Sequence, residues 1–201
     1  MGKLGGRGSQ DGLQIAQMEE VTMTTQAAAI GKAKKVRFVI LDIHGVLTDL
    51  TLYYTDDGKK SEIYSLHDRL GCAALKEAGI EAAFLTSKIT RTDQYIGSIY
   101  KIDRLYGTSA KMSQLDEIEK ELGLTDEEFC YVGDEIIDTG IMKRVGFAVA
   151  PADAAAEAKA VADYITKTPG GRGVVRELAE FILKAQGKWD AVIGKLAKIG
   201  Y

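Results

Sequence analysis

Val36-Arg37-Phe38-Val39-Ile40-Leu41-Asp42-Ile43-His44-Gly45-Val46 reads as a short apolar, β-branched run that ends in a carboxylate and a glycine turn. Such a run, without polar alternation, marks a strand buried on both faces. Similar runs recur at Glu81–Thr86, Arg104–Tyr106, Phe129–Val132 and Phe147–Ala150. Between them, helical spacing is expected over about Arg69–Ala78, Thr90–Tyr100, Lys111–Leu122, Ile136–Val145 and Ala152–Ala162. Strands alternating with helices at this spacing predict an α/β fold of Rossmann-like type: three α/β/α layers around a mainly parallel sheet.

One stretch interrupts the alternation. Thr51–Thr55, Asp56–Lys59 and Lys60–Ser65 alternate apolar and polar residues around an Asp-Gly turn, which predicts a β-hairpin. Inserted just after the first strand, it forms a small cap over that strand's carboxyl end, where open α/β sheets bind ligands.

The 201 residues suit one principal domain with a sizeable core. Residues 36–187 are expected to form it, with a Gly-rich, disordered or helical leader at 1–35 and a tail at 188–201. Net charge is −3 and no basic stripe is present, which argues against a nucleic-acid partner. No run has the length of a membrane helix and the start lacks a signal-peptide pattern, so a cytoplasmic location without membrane contact is expected. Cys72 and Cys130 are far apart and read as buried free thiols.

The candidate functional residues fall where the sheet's carboxyl edge should lie. Asp42 follows the first strand, Thr86 and Ser87 the second, and Asp134 and Asp138 the fourth; Lys111 opens the helix after the third. Taken alone, an Asp or Thr after a strand is more often a helix cap, and a lone Lys a solvated charge. Together, and in this order, they suit phosphoryl transfer to a carboxylate nucleophile. Mg²⁺, held by carboxylate and carbonyl oxygens, cancels the repulsion between carboxylate and phosphate. Hydroxyls and an ammonium then stabilise the charge on the phosphoryl oxygens.

The stretch from Asp42 to Asp49 resembles the first motif of the haloacid dehalogenase superfamily of phosphatases. The hairpin cap, Tyr64–Gly71, Gly133–Asp138 and Pro169–Glu177 through Ala185-Gln186-Gly187 are similar to the 3-deoxy-D-manno-octulosonate 8-phosphate (KDO 8-phosphate) phosphatases of that superfamily. The likeness covers about Val36 to Gly187, and its C-terminal Gly-Gly-Arg-Gly pattern is the most specific part. It implies Asp42 as the nucleophile that becomes an aspartyl-phosphate. It implies a metal site of Asp42, the His44 backbone carbonyl and Asp134, with Asp138 supporting the metal shell. Thr86 would bind the phosphoryl group and Lys111 neutralise it, and Ser87, Lys88, His67, Asp68 and Arg172 would face the substrate. It further implies a small phosphorylated sugar acid as substrate, a role in lipopolysaccharide biosynthesis, and a homotetramer.

Several positions depart from that pattern. The residue two after the nucleophile, an Asp acid–base group in the family, is His44 here. Thr86-Ser87-Lys88 stands for Thr-Gly-Arg, His67-Asp68-Arg69 for Arg-Asp-Gly, Ala110 for an Asn, and Glu135 for an Asp. An imidazole suits acid–base work near neutral pH, provided that it reaches the proton. The expected function is a Mg²⁺-dependent phosphomonoesterase. The departures also leave open a degenerate member that binds a phosphorylated ligand or serves as an assembly partner, and a phosphotransferase with a long-lived phosphoenzyme. His67 reads equally as a substrate contact and as a solvated loop residue.

Overall fold

A computed structural model describes residues 26–199 of the chain. The first strand, β1 (Phe38–Leu41), lies inside a six-stranded sheet. Its neighbours are β4 (Glu81–Thr86) and β6 (Phe129–Val132), both parallel to it, in register Leu41↔Phe84 and Leu41↔Val132. Outward lie β5 (Arg104–Gly107) on one side, and β7 (Phe147–Ala150) and β8 (Tyr164–Ile165) on the other. Every pairing in this sheet is parallel, so the strand ends after Leu41, Thr86 and Val132 share one edge.

The two-residue period of β1 divides the core. Val39 and Leu41 join Leu75 of α2 (Leu66–Glu77), Leu178 and Ile182 of α7 (Val174–Ala185), and Val192 and Leu196 of α8 (Trp189–Ile199). Phe38 and Ile40 join Leu115 and Ile118 of α4 (Lys111–Leu122), Met142 of α5 (Thr139–Met142) and Ala158 of α6 (Ala156–Val161). Helices thus cover both faces, which is why the strands are apolar throughout. Helix α3 (Arg91–Tyr100) packs on the Val39 side through Ile96 and Tyr100.

Residues 26–33 form a helix, α1, whose Ala29 and Ala33 are buried in the same core. The leader reading over residues 1–25 and the tail reading at 200–201 lie outside the described residues. Cys72 and Cys130 are buried free thiols. No described helix is long and apolar enough to cross a membrane.

Some elements differ in detail from the sequence expectation. The hairpin is shorter, with β2 (Tyr53–Tyr54) antiparallel to β3 (Lys60–Ser61). Its turn closes through Gly58 N–H donating to Thr55 O at 2.8 Å, with Gly58 at φ +78°. Helix α2 starts earlier than expected, because the Ser65 side chain caps it by accepting from His67 N–H. The helix expected over Ile136–Val145 is a 3₁₀ turn, Ile136–Asp138, running into short α5, because the Asp138 side chain is pulled back toward the chain before it. Strand β8 was not expected; two residues are too few to give a period.

Helices α2 and α7 approach backbone to backbone. A Cβ on Gly71 would lie 2.6 Å from Val175 O and Arg176 N, so only glycine permits this crossing.

Candidate active site

The chain leaves β1 at Asp42, whose N–H still donates to Val132 O of β6 at 3.0 Å. It then turns tightly, with Val46, Leu47 and Thr48 N–H all directed at Ile43 O. Gly45 takes φ +80°, and a Cβ there would lie 1.9 Å from Asp134 Oδ2. The glycine is therefore the gap that lets the Asp134 carboxylate approach the turn. The turn is buttressed from far along the chain. Gly171 N–H donates to Val46 O at 2.9 Å, and a Cβ on Gly170 would meet Gly45 O at 2.2 Å. Arg172 continues this buttress, pairing with Asp49 at 3.0 Å.

Asp42, Asp134 and Asp138 are buried, and each offers an oxygen within 4.8 Å of the others. Lys111 Nζ lies 2.6 Å from Asp138 Oδ1, 3.1 Å from Asp42 Oδ2 and 2.9 Å from the Tyr131 hydroxyl, and that hydroxyl donates to Asp138 Oδ1 at 2.7 Å. Asp138 Oδ2 accepts the N–H groups of Asp134 and Glu135, each at 3.1 Å. Asp138 thus takes four donors, the capacity of a carboxylate. It organises the cluster, whereas the Asp42 and Asp134 carboxylates have fewer protein partners.

The electrostatics follow from crowding. Burial, opposed by Lys111 and assisted by Asp138, pushes the Asp42 carboxyl up to about 6. Burial and then repulsion from Asp42 and Asp138 push Asp134 up to about 7. Burial works to lower the Lys111 ammonium, but Asp42 and Asp138 outweigh it and hold the group above its ordinary value. One lysine thus faces three close carboxylates. A small hard cation suits this donor set, since it takes oxygen ligands and removes the repulsion.

The remaining predicted residues separate into groups. Thr86 is buried at the tip of β4, while Ser87 and Lys88 beyond it are exposed. The His44 side chain is half-buried, with Nε2 3.2 Å from Glu62 Oε1. His67 and Arg172 line a cavity of about 600 Å³ with Tyr164, Lys167, Arg176 and Glu177, and none of Asp42, Thr86 or Asp134 borders it. Asp68 is fully buried; its Oδ1 accepts Val175 N–H at 2.7 Å, at the start of α7. Tyr131 and Glu62 stand at the site without having been singled out, whereas Gly170-Gly171, noted only as part of a motif, proves to seat against the turn after Asp42. Tyr131 is indistinguishable in sequence from its apolar strand neighbours, and Glu62 from the polar face of a hairpin.

A family model described as haloacid dehalogenase-like hydrolase matches residues 46–178. The chain belongs to this family. It is an enzyme, a hydrolase of the phosphatase type. The matched span contains Thr86, Lys111, Asp134 and Asp138 and begins four residues after Asp42. The chain is 35% identical over 170 residues to the 3-deoxy-D-manno-octulosonate 8-phosphate phosphatase KdsC of Escherichia coli K12, covering 84% of this chain and 90% of that protein. Two solved structures are also similar. The phosphatase of the same name from Yersinia pestis superposes with a TM-score of 0.78 at 32% identity, over 81% of this chain and 89% of that one. The one from Moraxella catarrhalis gives 0.80 at 31% identity, over 84% and 97%, and was solved with a magnesium ion, a phosphate ion and KDO. The cofactor of this hydrolase is accordingly Mg²⁺, and the acidic cluster of Asp42, Asp134 and Asp138 is of the kind that could hold it.

Proposed function

We propose that this hydrolase cleaves the phosphate monoester of a sugar acid of the KDO 8-phosphate type through an aspartyl-phosphate on Asp42. One observation carries the reading: Asp42, at the end of β1, faces Lys111 at 3.1 Å and shares its cluster with Asp134. The relatives' substrate names supply the sugar-acid class.

Mg²⁺ would be held by Asp42, Asp134 and the His44 backbone carbonyl, and it supplies charge that offsets the phosphate against the carboxylates. In the first half-reaction an Asp42 carboxylate oxygen bonds to phosphorus as the phosphorus–sugar oxygen bond breaks. His44 gives its ring proton to the departing alkoxide. In the second, water attacks phosphorus and passes a proton to the His44 ring, and the bond from phosphorus to Asp42 breaks. Lys111, held by Asp138 and Tyr131, stabilises the phosphoryl oxygens throughout. Thr86 adds a hydroxyl from the tip of β4, and Ser87 and Lys88 continue the same edge toward the substrate. Within one copy His67 and Arg172 line a separate cavity, so their part in binding the sugar acid would be played toward an active site brought up by assembly. The exposed Leu52, Tyr53, Tyr54 and Ile63 of the hairpin region favour assembly into a homotetramer.

The test is phosphate release from eight- and nine-carbon sugar-acid phosphates with Mg²⁺. Wild-type turnover that is lost in Asp42→Asn supports the reading. No turnover on these or on simple phosphomonoesters would overturn it in favour of a ligand-binding member of the family.

A further inference from the structure

The hydrolase reading leaves His44 needing a partner. An imidazole that passes protons must keep one nitrogen directed at the reacting oxygen, and a half-buried ring on a loop has several orientations open to it. Glu62, just past β3, stands against this ring. Its side chain is 6% exposed, and Oε1 is buried without any donor aligned on it as a hydrogen bond. An imidazole and an ammonium come close to that oxygen: His44 Nε2 at 3.2 Å and Lys60 Nζ at 3.1 Å. A bare Nε2 would set its lone pair against the carboxylate at this distance, so a proton on Nε2 is favoured. The other ring nitrogen, Nδ1, is then the one free to accept or donate at the substrate.

We infer that Glu62 is a positioning residue for His44: the hairpin's exit carries the carboxylate that fixes the ring's orientation and places its standing proton on Nε2. The inference rests on the hydrolase reading, in which His44 passes the proton. It adds that the histidine and the glutamate operate as a pair. The pair also accounts for a carboxylate beside the nucleophile loop that neither Asp42 nor Lys111 requires. Were position 44 an aspartate, Glu62 would face it as a buried like charge; the glutamate suits the histidine and opposes the residue that the resemblance leads one to expect.

This gives an experiment whose sign a merely structural role would not reproduce. Glu62→Gln is measured in wild type and in His44→Asp, with kcat and KM separated. In wild type, Glu62→Gln lowers kcat about tenfold or more, within the range of acid–base help, and leaves KM little changed. In His44→Asp the same substitution raises kcat, because it removes the repulsion. An equal fall in both backgrounds would overturn the pairing and leave Glu62 as a hairpin anchor.

A second readout does not need turnover. The chain has two histidines, so ring ¹⁵N spectra can be assigned by the signals lost in His44→Asp. In spectra recorded at a pH high enough for the ring to be neutral, the expected wild-type pattern is protonated Nε2 and bare Nδ1, shifting toward a tautomer mixture in Glu62→Gln. An unchanged His44 ring in Glu62→Gln would sink the inference. Absence of Asp42-dependent phosphate release would instead remove the hydrolase reading, and the ring spectrum would still decide the pair.

Discussion

Lys111 Nζ sits closer to Asp138, at 2.6 Å, than to Asp42, the proposed nucleophile, at 3.1 Å. The lysine is thus held from behind by a carboxylate that already accepts the Tyr131 hydroxyl and two backbone N–H groups.

Asp138→Ala leaves a buried ammonium short of one counter-charge and three donors without an acceptor. The expected loss is about 3–5 kcal/mol of folding free energy, as for other buried pairs broken on one side. Urea unfolding measures it. Lys111→Met, which leaves the Asp42, Asp134 and Asp138 carboxylates crowded together without their cation, should cost at least as much; a clearly smaller loss in Lys111→Met would contradict this account.

Mg²⁺ should raise the melting temperature, because it binds the folded Asp42–Asp134 site and not the unfolded chain. At a hundredfold excess over the dissociation constant the gain is about 2.7 kcal/mol. A chelator should reverse it, and Asp134→Asn should abolish most of it. Thermal melts with and without the ion are sufficient, and an equal rise in Asp134→Asn would place the ion elsewhere.

Asp68 sets a pH dependence of its own. Burial pushes its carboxyl from 3.8 up to about 7, and Oδ2 is buried with no hydrogen-bond partner. The folded state therefore holds this proton more tightly than the unfolded chain. The contribution to stability is full below about pH 4 and is lost as pH rises toward 7. Asp68→Asn keeps an acceptor for Val175 N–H and removes the titration. Between about pH 5 and pH 8, wild type should lose on the order of 2 kcal/mol relative to this variant, read from denaturant midpoints. A difference independent of pH would show that Asp68 is ionised throughout.

Two glycines separate close approach from mere flexibility. Gly171 has φ +66°, and a Cβ there would lie 2.6 Å from Asp49 N. Gly171→Ala should cost about 1–3 kcal/mol and lower kcat by displacing the loop after Asp42. Gly31, in α1, has nothing within 4 Å of a Cβ. Gly31→Ala should instead stabilise by about 0.5–1 kcal/mol, as in other helix interiors.

The sheet and its polarity were legible because buried parallel strands write themselves as unbroken apolar runs, and because Asp42, Thr86 and Asp134 each follow one. What local patterning cannot carry is contact across the chain. Asp68 sits in a motif and looked like a substrate group, yet its partner is the N–H of Val175, 107 residues away. Tyr131 resembles core packing until Lys111 and Asp138 converge on its hydroxyl. Glu62 acquires meaning only beside His44. The short elements span too few residues to leave a period: β8 is set by its pairing with β7, and the 3₁₀ turn before α5 by the Asp138 carboxylate reaching back three and four residues.

The seating of Gly170 and Gly171 on the turn after Asp42 has a consequence for synthesis on the ribosome. Strand β1 and Asp42 emerge early, but the two glycines that prop the following turn are made well over a hundred residues later. A nascent or truncated chain ending at β7 therefore displays Asp42 on an unpropped turn. The prop arrives only when residues 170 and 171 have been made, so cleavage between β7 and Gly170 would remove it while leaving Asp42, Asp134 and Asp138 in the chain.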